Sequence, residues 1–239
     1  MENRPSLAQL LGPERRNSAG YCVRAIFAST ITGSATVDGR SNDLGNELDT
    51  ELLLAAREWS DVVLVGSETV RAENYGGVQP TTKKPTPAHI AVMTASMHFD
   101  DNSRFLHDYH VPHLFLVPES SLKDPRKKER AEKLTSFGEV IAVGAGSVEE
   151  CIKTLVTRGF KRILCEGGPS IFSGLITANA VDQFYLTLDP TLTSTVETPI
   201  TRGTTGTVST QQMQLESVER CPDSTLFLRY GRHPIDSMR

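Results

Sequence analysis

Cysteine, tryptophan and long apolar runs are all scarce in this chain, and each shortage removes a class of protein. Four cysteines, Cys22, Cys151, Cys165 and Cys221, are scattered through 239 residues with no C-x-x-C spacing. Neither a disulfide framework nor a metal centre is expected from them, and apolar flanks at three of the four suggest buried thiols. No apolar stretch approaches the roughly 20 residues that a membrane helix needs, and the opening MENRPSLAQLLGPERRNSAG lacks the apolar core of a signal peptide. The expectation is a cytoplasmic chain with no membrane partner. Basic charge is not in excess either: 25 Lys and Arg stand against 29 Asp and Glu, for a net charge of −4, which leaves no electrostatic footprint for nucleic acid. The one basic run, Arg126-Lys127-Lys128, is followed by Glu129 and Glu132 at helical spacing and reads as a solvated face. A G-x-G-x-x-G fingerprint is missing as well, since Gly144-Ala145-Gly146 has no third glycine in register.

What is present is ordinary globular composition, 38% hydrophobic and 23% charged, with a length that suits one domain. Residues 1–20, with Pro5, Gly12 and Pro13, read as an N-terminal arm holding a short helix at most, and residues 21–239 as the domain. Strand-like runs fall at Tyr21 to Ser29, Asp61 to Gly66, His89 to Met93, His113 to Val117, Glu139 to Val143 and Ile163 to Cys165. Between them lie helical patterns. Asn46 to Ser60 places Leu48, Leu52, Ala55, Ala56 and Trp59 on one face, with Asn46 or Asp49 as N-cap. Lys123 to Ser136 reads as a charged helix, and Ser147-Val-Glu-Glu150 as a capping box that opens another, with Gly159 ending it. Asp38-Gly39 is a strong turn signal. Strands alternate with helices until a closing hairpin around the turn PDS. The fold class expected is therefore α/β: a mostly parallel central sheet, an antiparallel C-terminal edge and helices on both faces.

The stretch from Arg162 to Pro190 carries the most chemistry. A short buried strand ends in Glu166-Gly167-Gly168, and Pro169 then sits at the first position of a helix, where its missing N–H is harmless. Amides of Gly167, Gly168, Ser170 and Ile171 at the positive end of that helix suit a phosphate or diphosphate. Spacing alone supports an anion site or a plain strand-to-helix turn, and names no cofactor.

This EGGP turn, followed by Val181-Asp182 and an alternating strand ending in Pro190, resembles the reductase domain of bacterial riboflavin biosynthesis, a dihydrofolate reductase-like fold. Further matches are Ala35-Thr36-Val37-Asp38-Gly39-Arg40-Ser41, the R-x-x-x-D-x-x-x-x-G pattern at Arg57, Asp61 and Gly66, and Thr69-Val70-Arg71-x-Glu73-x-Tyr75-x-Gly77. One position departs: Thr32 stands where the family has Asp, and threonine does not ionise near neutral pH. A second arginine found past the T-V turn in bifunctional members is also missing, as are their zinc-deaminase motifs. The resemblance implies NADPH-dependent reduction of the ribosyl group of 5-amino-6-(5-phosphoribosylamino)uracil by a homodimer. It assigns the catalytic role to Glu166, the substrate to Ser41, Arg57 (on the phosphate) and Glu166, and the cofactor to Ala28, Thr69, Glu73, Thr94, Ser96, Gly167, Gly168, Pro169, Ser170, Ile171 and Phe172. The proton source is open between water and Glu166. Two alternatives stand beside this reading: reduction of a pterin or dihydrofolate-like substrate, and an NADP-binding protein without catalysis.

Overall fold

The computed structural model describes residues 4–41, 44–203 and 208–233; residues 1–3 of the expected arm, Asn42 and Asp43 of the loop before the first long helix, and 204–207 and 234–239 of the expected domain lie outside the described residues. In chain order the elements are α1 (Leu7–Leu11), β1 (Cys22–Thr30), α2 (Glu47–Trp59), β2 (Val62–Gly66), α3 (Ser67–Ala72), β3 (His89–Met93), α4 (Arg104–His107), β4 (His113–Val117), α5 (Glu119–Leu122), α6 (Lys128–Leu134), β5 (Gly138–Ala142), α7 (Val148–Thr157), β6 (Arg162–Cys165), α8 (Pro169–Thr177), β7 (Gln183–Asp189), β8 (Met213–Arg220) and β9 (Leu226–Arg232).

The strands form one sheet in the order β5-β4-β3-β2-β6-β1-β7-β9-β8. Every pair from β5 across to β7 is parallel, while β9 runs antiparallel to both β7 and β8. The expected mostly parallel sheet with an antiparallel C-terminal edge is thus the one formed. Because β6 returns late in the chain to lie between β1 and β2, the strand order reverses there, and such reversals open a crevice at the carboxyl ends of the strands. One face is covered by α1, α2, α4 and α6, through residues such as Leu10, Leu52, Phe105 and Leu134. The other is covered by α7 and α8, through Ile152, Leu155, Phe172 and Leu175. Leu48, Leu52 and Ala56 turn the stripe of α2 inward, each leucine contributing about 1.5–3 kcal/mol of apolar transfer.

Two local expectations needed correction or sharpening. The single helix expected over Lys123 to Ser136 is broken: α5 precedes it, a 3-10 turn covers Pro125–Lys127, and α6 starts only at Lys128. Pro125 has no N–H to give and would clash inside a helix, and the Asp124 side chain accepts from the Arg126 amide instead. Asp38 and Gly39 have φ of 51° and 74°, the positive pair of a type I′ turn, closed by the Val37–Arg40 bridge. Arg24, the lone charge of β1, is 1% exposed. Its guanidinium lies 4.0 Å from the Trp59 ring centre and its Nε donates to Gln183 Oε1 at 3.0 Å, so stacking and one hydrogen bond stand in for water.

His113 opens β4 from a buried position, stacked on Phe105 with ring centres 3.9 Å apart. Its Nε2 bonds to Phe105 O at 2.7 Å, while Nδ1 is buried with no partner. A proton on Nδ1 would be desolvated, so burial pushes the imidazole down to about 4. The unfolded chain takes up this proton from its ordinary value near 6.5, so the stability is fully present above that pH and is lost as pH falls towards about 4. Urea unfolding should show a slope approaching about 1.4 kcal/mol per pH unit in this window, and His113→Gln should flatten it.

Candidate active site

A cleft of about 530 Å³ opens where the sheet order reverses, at the carboxyl ends of β1, β2, β3 and β6. Ile26, Phe27 and Ala28 of β1 form its floor with Gly66 and Met93, α2 supplies Asp49 and Leu53, and the first turn after β2 supplies Ser67, Glu68 and Thr69.

Glu166 enters this cleft directly from the end of β6. Its amide is tied to Leu64 O at 3.2 Å, which fixes the backbone from which the side chain springs. The carboxylate is 2% exposed and its partner Arg57 19%. Arg57 Nε donates to Oε1 at 2.7 Å and Nη2 to Oε2 at 2.6 Å, a two-pronged pair. Tyr75 Oη donates to Oε2 at 2.8 Å. Burial works against the Arg57 charge, yet the facing carboxylate outweighs it and holds the guanidinium above its ordinary range. Burial, and then the Glu166 charge, hold the Tyr75 phenol well above its own. Each of these three hydrogen bonds is one that Glu166 accepts, so the arrangement fits a carboxylate fixed in orientation.

Beside it the chain turns through Gly167, whose φ of +101° favours glycine. Gly167 O accepts from the Gly66 amide at 3.0 Å, stitching β6 to β2. A β-carbon on Gly168 would lie 2.6 Å from Thr69 Oγ1, so only glycine keeps this wall open. Gly168 caps α8 with no side-chain bond. Ile171, expected to offer a free amide, donates it to Gly168 O at 3.0 Å, because the first turn of α8 is tightened. Of the amides in the turn, those of Gly168 and Ser170 lie on the cleft with no backbone partner and are donors for an anion. Pro169, Ser170 and exposed Arg202 line the cleft at this end, the Arg202 amide being bonded to Pro169 O at 3.1 Å.

Ala28, Ser41, Thr69, Glu73, Glu166, Gly168, Pro169, Ser170 and Ile171 are all brought to the cleft wall. Others proposed from the sequence are not. Phe172 packs into the core against Phe27 and Phe184, with ring centres 4.6 and 4.9 Å away. Thr94 Oγ1 accepts from the Met97 amide and Ser96 Oγ from that of His98, so both hydroxyls serve their own loop. Gly167 is off the lining and Arg57 faces Glu166; Thr32, the position that departs from the family pattern, bonds to the Thr30 and Thr193 hydroxyls at 3.0 and 2.6 Å. Sequence reasoning passed over Asp49 as a cleft residue, along with Tyr75, Thr198 and Arg202. For Asp49 a signal existed: only one of Asn46 and Asp49 can cap α2, and Asn46 does so, accepting from Leu48 and Asp49 amides. The thiols of Cys22, Cys151 and Cys165 are pushed up to about 12 by burial. Among the described residues no cluster of His, Cys, Asp or Glu is placed to hold a metal, and no helix is long and apolar enough to cross a membrane.

Residues 22–227 match the RibD C-terminal domain. The chain belongs to the RibD C-terminal domain family. It is 30% identical over 171 residues, 65% of this chain and 73% of its relative, to the 2,5-diamino-6-ribosylamino-4(3H)-pyrimidinone 5′-phosphate reductase of Aquifex aeolicus. A pyrimidine reductase-like protein of Corynebacterium diphtheriae superposes with a TM-score of 0.80 at 26% identity, over 90% of this chain and 92% of that one. Acinetobacter baumannii RibD superposes at 0.71 and 16% identity, over 90% of this chain and 59% of the longer partner, and shares the fold. As a RibD-type reductase domain, the chain is an oxidoreductase of the riboflavin-pathway pyrimidine reductase type, which implies a nicotinamide cofactor. The wall that a Gly168 β-carbon would fill, together with the two open amides at the α8 N-terminus, fits the phosphate-bearing part of such a group.

Gly168→Asp tests this directly. Aspartate is a favourable N-cap, so α8 should persist, but the side chain would meet Thr69 and set a negative charge against the phosphate. Fluorescence titration should show NADPH binding at least about tenfold weaker, the scale of one charge-assisted contact.

Proposed function

We propose that the protein reduces the ribosyl group of 5-amino-6-(5-phosphoribosylamino)uracil to the ribityl compound with NADPH. The observation that carries this reading is the Glu166 carboxylate, an immobilised acceptor two residues from the glycine cradle and in the same cleft. A polyhydroxylated, amino-bearing substrate offers donors to such an acceptor, and binding energy then goes into orientation rather than chemistry. When bound, the cofactor would supply the hydride for C1 of the ring-opened ribosyl group. This chain's part would be to hold the two ligands: Gly168, Pro169 and Ser170 with Arg202 on the cofactor phosphates, Thr69 and Ala28 also on the cofactor, Ser41 and Glu166 on the substrate. Arg57 works through Glu166, as its positioning residue. The name of the Aquifex relative supports a phosphorylated ribosylaminopyrimidine as the substrate class.

Purified protein should oxidise NADPH with the aminouracil, faster than with the diaminopyrimidinone of the Aquifex relative's name and without turning over dihydrofolate. Turnover of dihydrofolate alone would replace the substrate assignment with the pterin alternative; NADPH binding with no oxidation would leave only a binding protein.

Arg57→Ala should cost about 3–5 kcal/mol in urea unfolding, because it leaves Glu166 buried without its counter-charge. Adding Glu166→Gln should recover part of that loss, since the uncompensated charge is then gone. Additive losses in this cycle would show that the pair is not coupled.

The exposed apolar side chains Leu215 and Val218, each 50% accessible, lie on β8 at the open edge of the sheet. They favour a homodimer closed across this edge, which light scattering would detect as twice the chain mass.

A further inference from the structure

We propose that Asp49 is a catalytic residue, the acid that protonates the substrate nitrogen as C1 is reduced. This rests on the reduction proposed above and names the proton source that it lacks. Reduction of the ring-opened C=N bond places new hydrogen on carbon and moves the π pair to nitrogen, which must take a proton. That proton leaves the Asp49 carboxyl, and the resulting carboxylate regains one from water; the nicotinamide is the electron source.

Three groups named above suit the task poorly. Thr32 has no acidic proton and is bonded to Thr30 and Thr193. Glu166 accepts from Arg57 and Tyr75, and the Tyr75 phenol both donates to Glu166 and is held well above its ordinary range by burial and by that charge. Asp49 lies on the wall of the same cleft, on the first turn of α2. With Asn46 capping the helix, the Asp49 side chain is released from that duty. It takes one hydrogen bond, from the Thr187 hydroxyl to Oδ1, which leaves Oδ2 to carry a proton.

A second carboxylate stands next to it. Asp189, at the end of β7, is buried and accepts from the amides of Gly45 at 2.9 Å and Thr191 at 3.0 Å. Its charge and, foremost, burial raise the Asp49 carboxyl above its usual range, against the lowering effect of Thr187. Glu68, Glu73 and Glu166, the last paired with Arg57, are the other carboxylates that line this cleft. The pairing divides labour in the way two neighbouring carboxyls do when one is anchored by backbone donors and the other holds its proton more tightly than usual.

The test uses the full chain with NADPH and the aminouracil. Asp49→Asn should lower kcat by about a hundredfold or more, with NADPH affinity unchanged. In the wild type kcat should fall as pH rises through the Asp49 titration, and Asp189→Asn should move that fall to lower pH. Independently of activity, the 13C resonance of the Asp49 carboxyl in the cofactor-free protein should titrate above an ordinary aspartate and shift down in Asp189→Asn. An Asp49→Asn enzyme within about threefold of wild-type kcat, or one altered in KM alone, overturns the proposal and leaves the proposed function standing. An ordinary Asp49 titration overturns it too, even if Asp49→Asn does not fold. A wild type inactive on the aminouracil brings down the proposed function, and this proposal with it.

Discussion

Everything at the cleft is arranged around one buried negative charge, that of Glu166. A carboxylate 2% exposed is tolerable only with a counter-charge and its oxygens satisfied. Arg57 and Tyr75 provide both, and they come from α2 and from the turn after α3, segments far apart in the chain. Such a pair adds little net stability, because desolvating two charges offsets much of their attraction. Its consequence is geometric: three segments are locked to one point at the end of β6, and the cleft wall inherits that rigidity.

The position of that point follows from topology. Parallel strands end on the same side, and β6 inserted between β1 and β2 sets Glu166 and the glycine turn beside the ends of both. The opposite wall has no regular structure of its own, and a return segment after β7 holds it. Glu197 accepts from the Asp38 and Gly39 amides and the Thr36 hydroxyl, while Ser34 and Ala35 meet Pro199 and Thr198. A loop that carries Ser41 and borders the cleft is thereby given the backbone partners it would otherwise take from water.

Local chemistry settled a large part of this protein in advance. Period-two and buried apolar runs marked the strands, the Leu48 to Trp59 stripe marked α2, and Ser147 with Glu150 formed the capping box expected of them. The Glu166-Gly167-Gly168-Pro169 turn was legible because each residue there has one local reason, a steric need for glycine or a proline suited to a helix start. These signals act over a few residues, so they are written into the sequence itself.

What only the tertiary structure decided are the partnerships across the chain. That Arg57 meets Glu166, that Arg24 is buried under Trp59, that Asp49 faces the cleft beside Asp189, and that Arg202 reaches the start of α8 all join residues that no short-range pattern links. A side chain's charge state and role depend on what surrounds it in space. For a charge on a helix the sequence reveals only its face, and burial with its electrostatic neighbours is set when the sheet brings distant strands together.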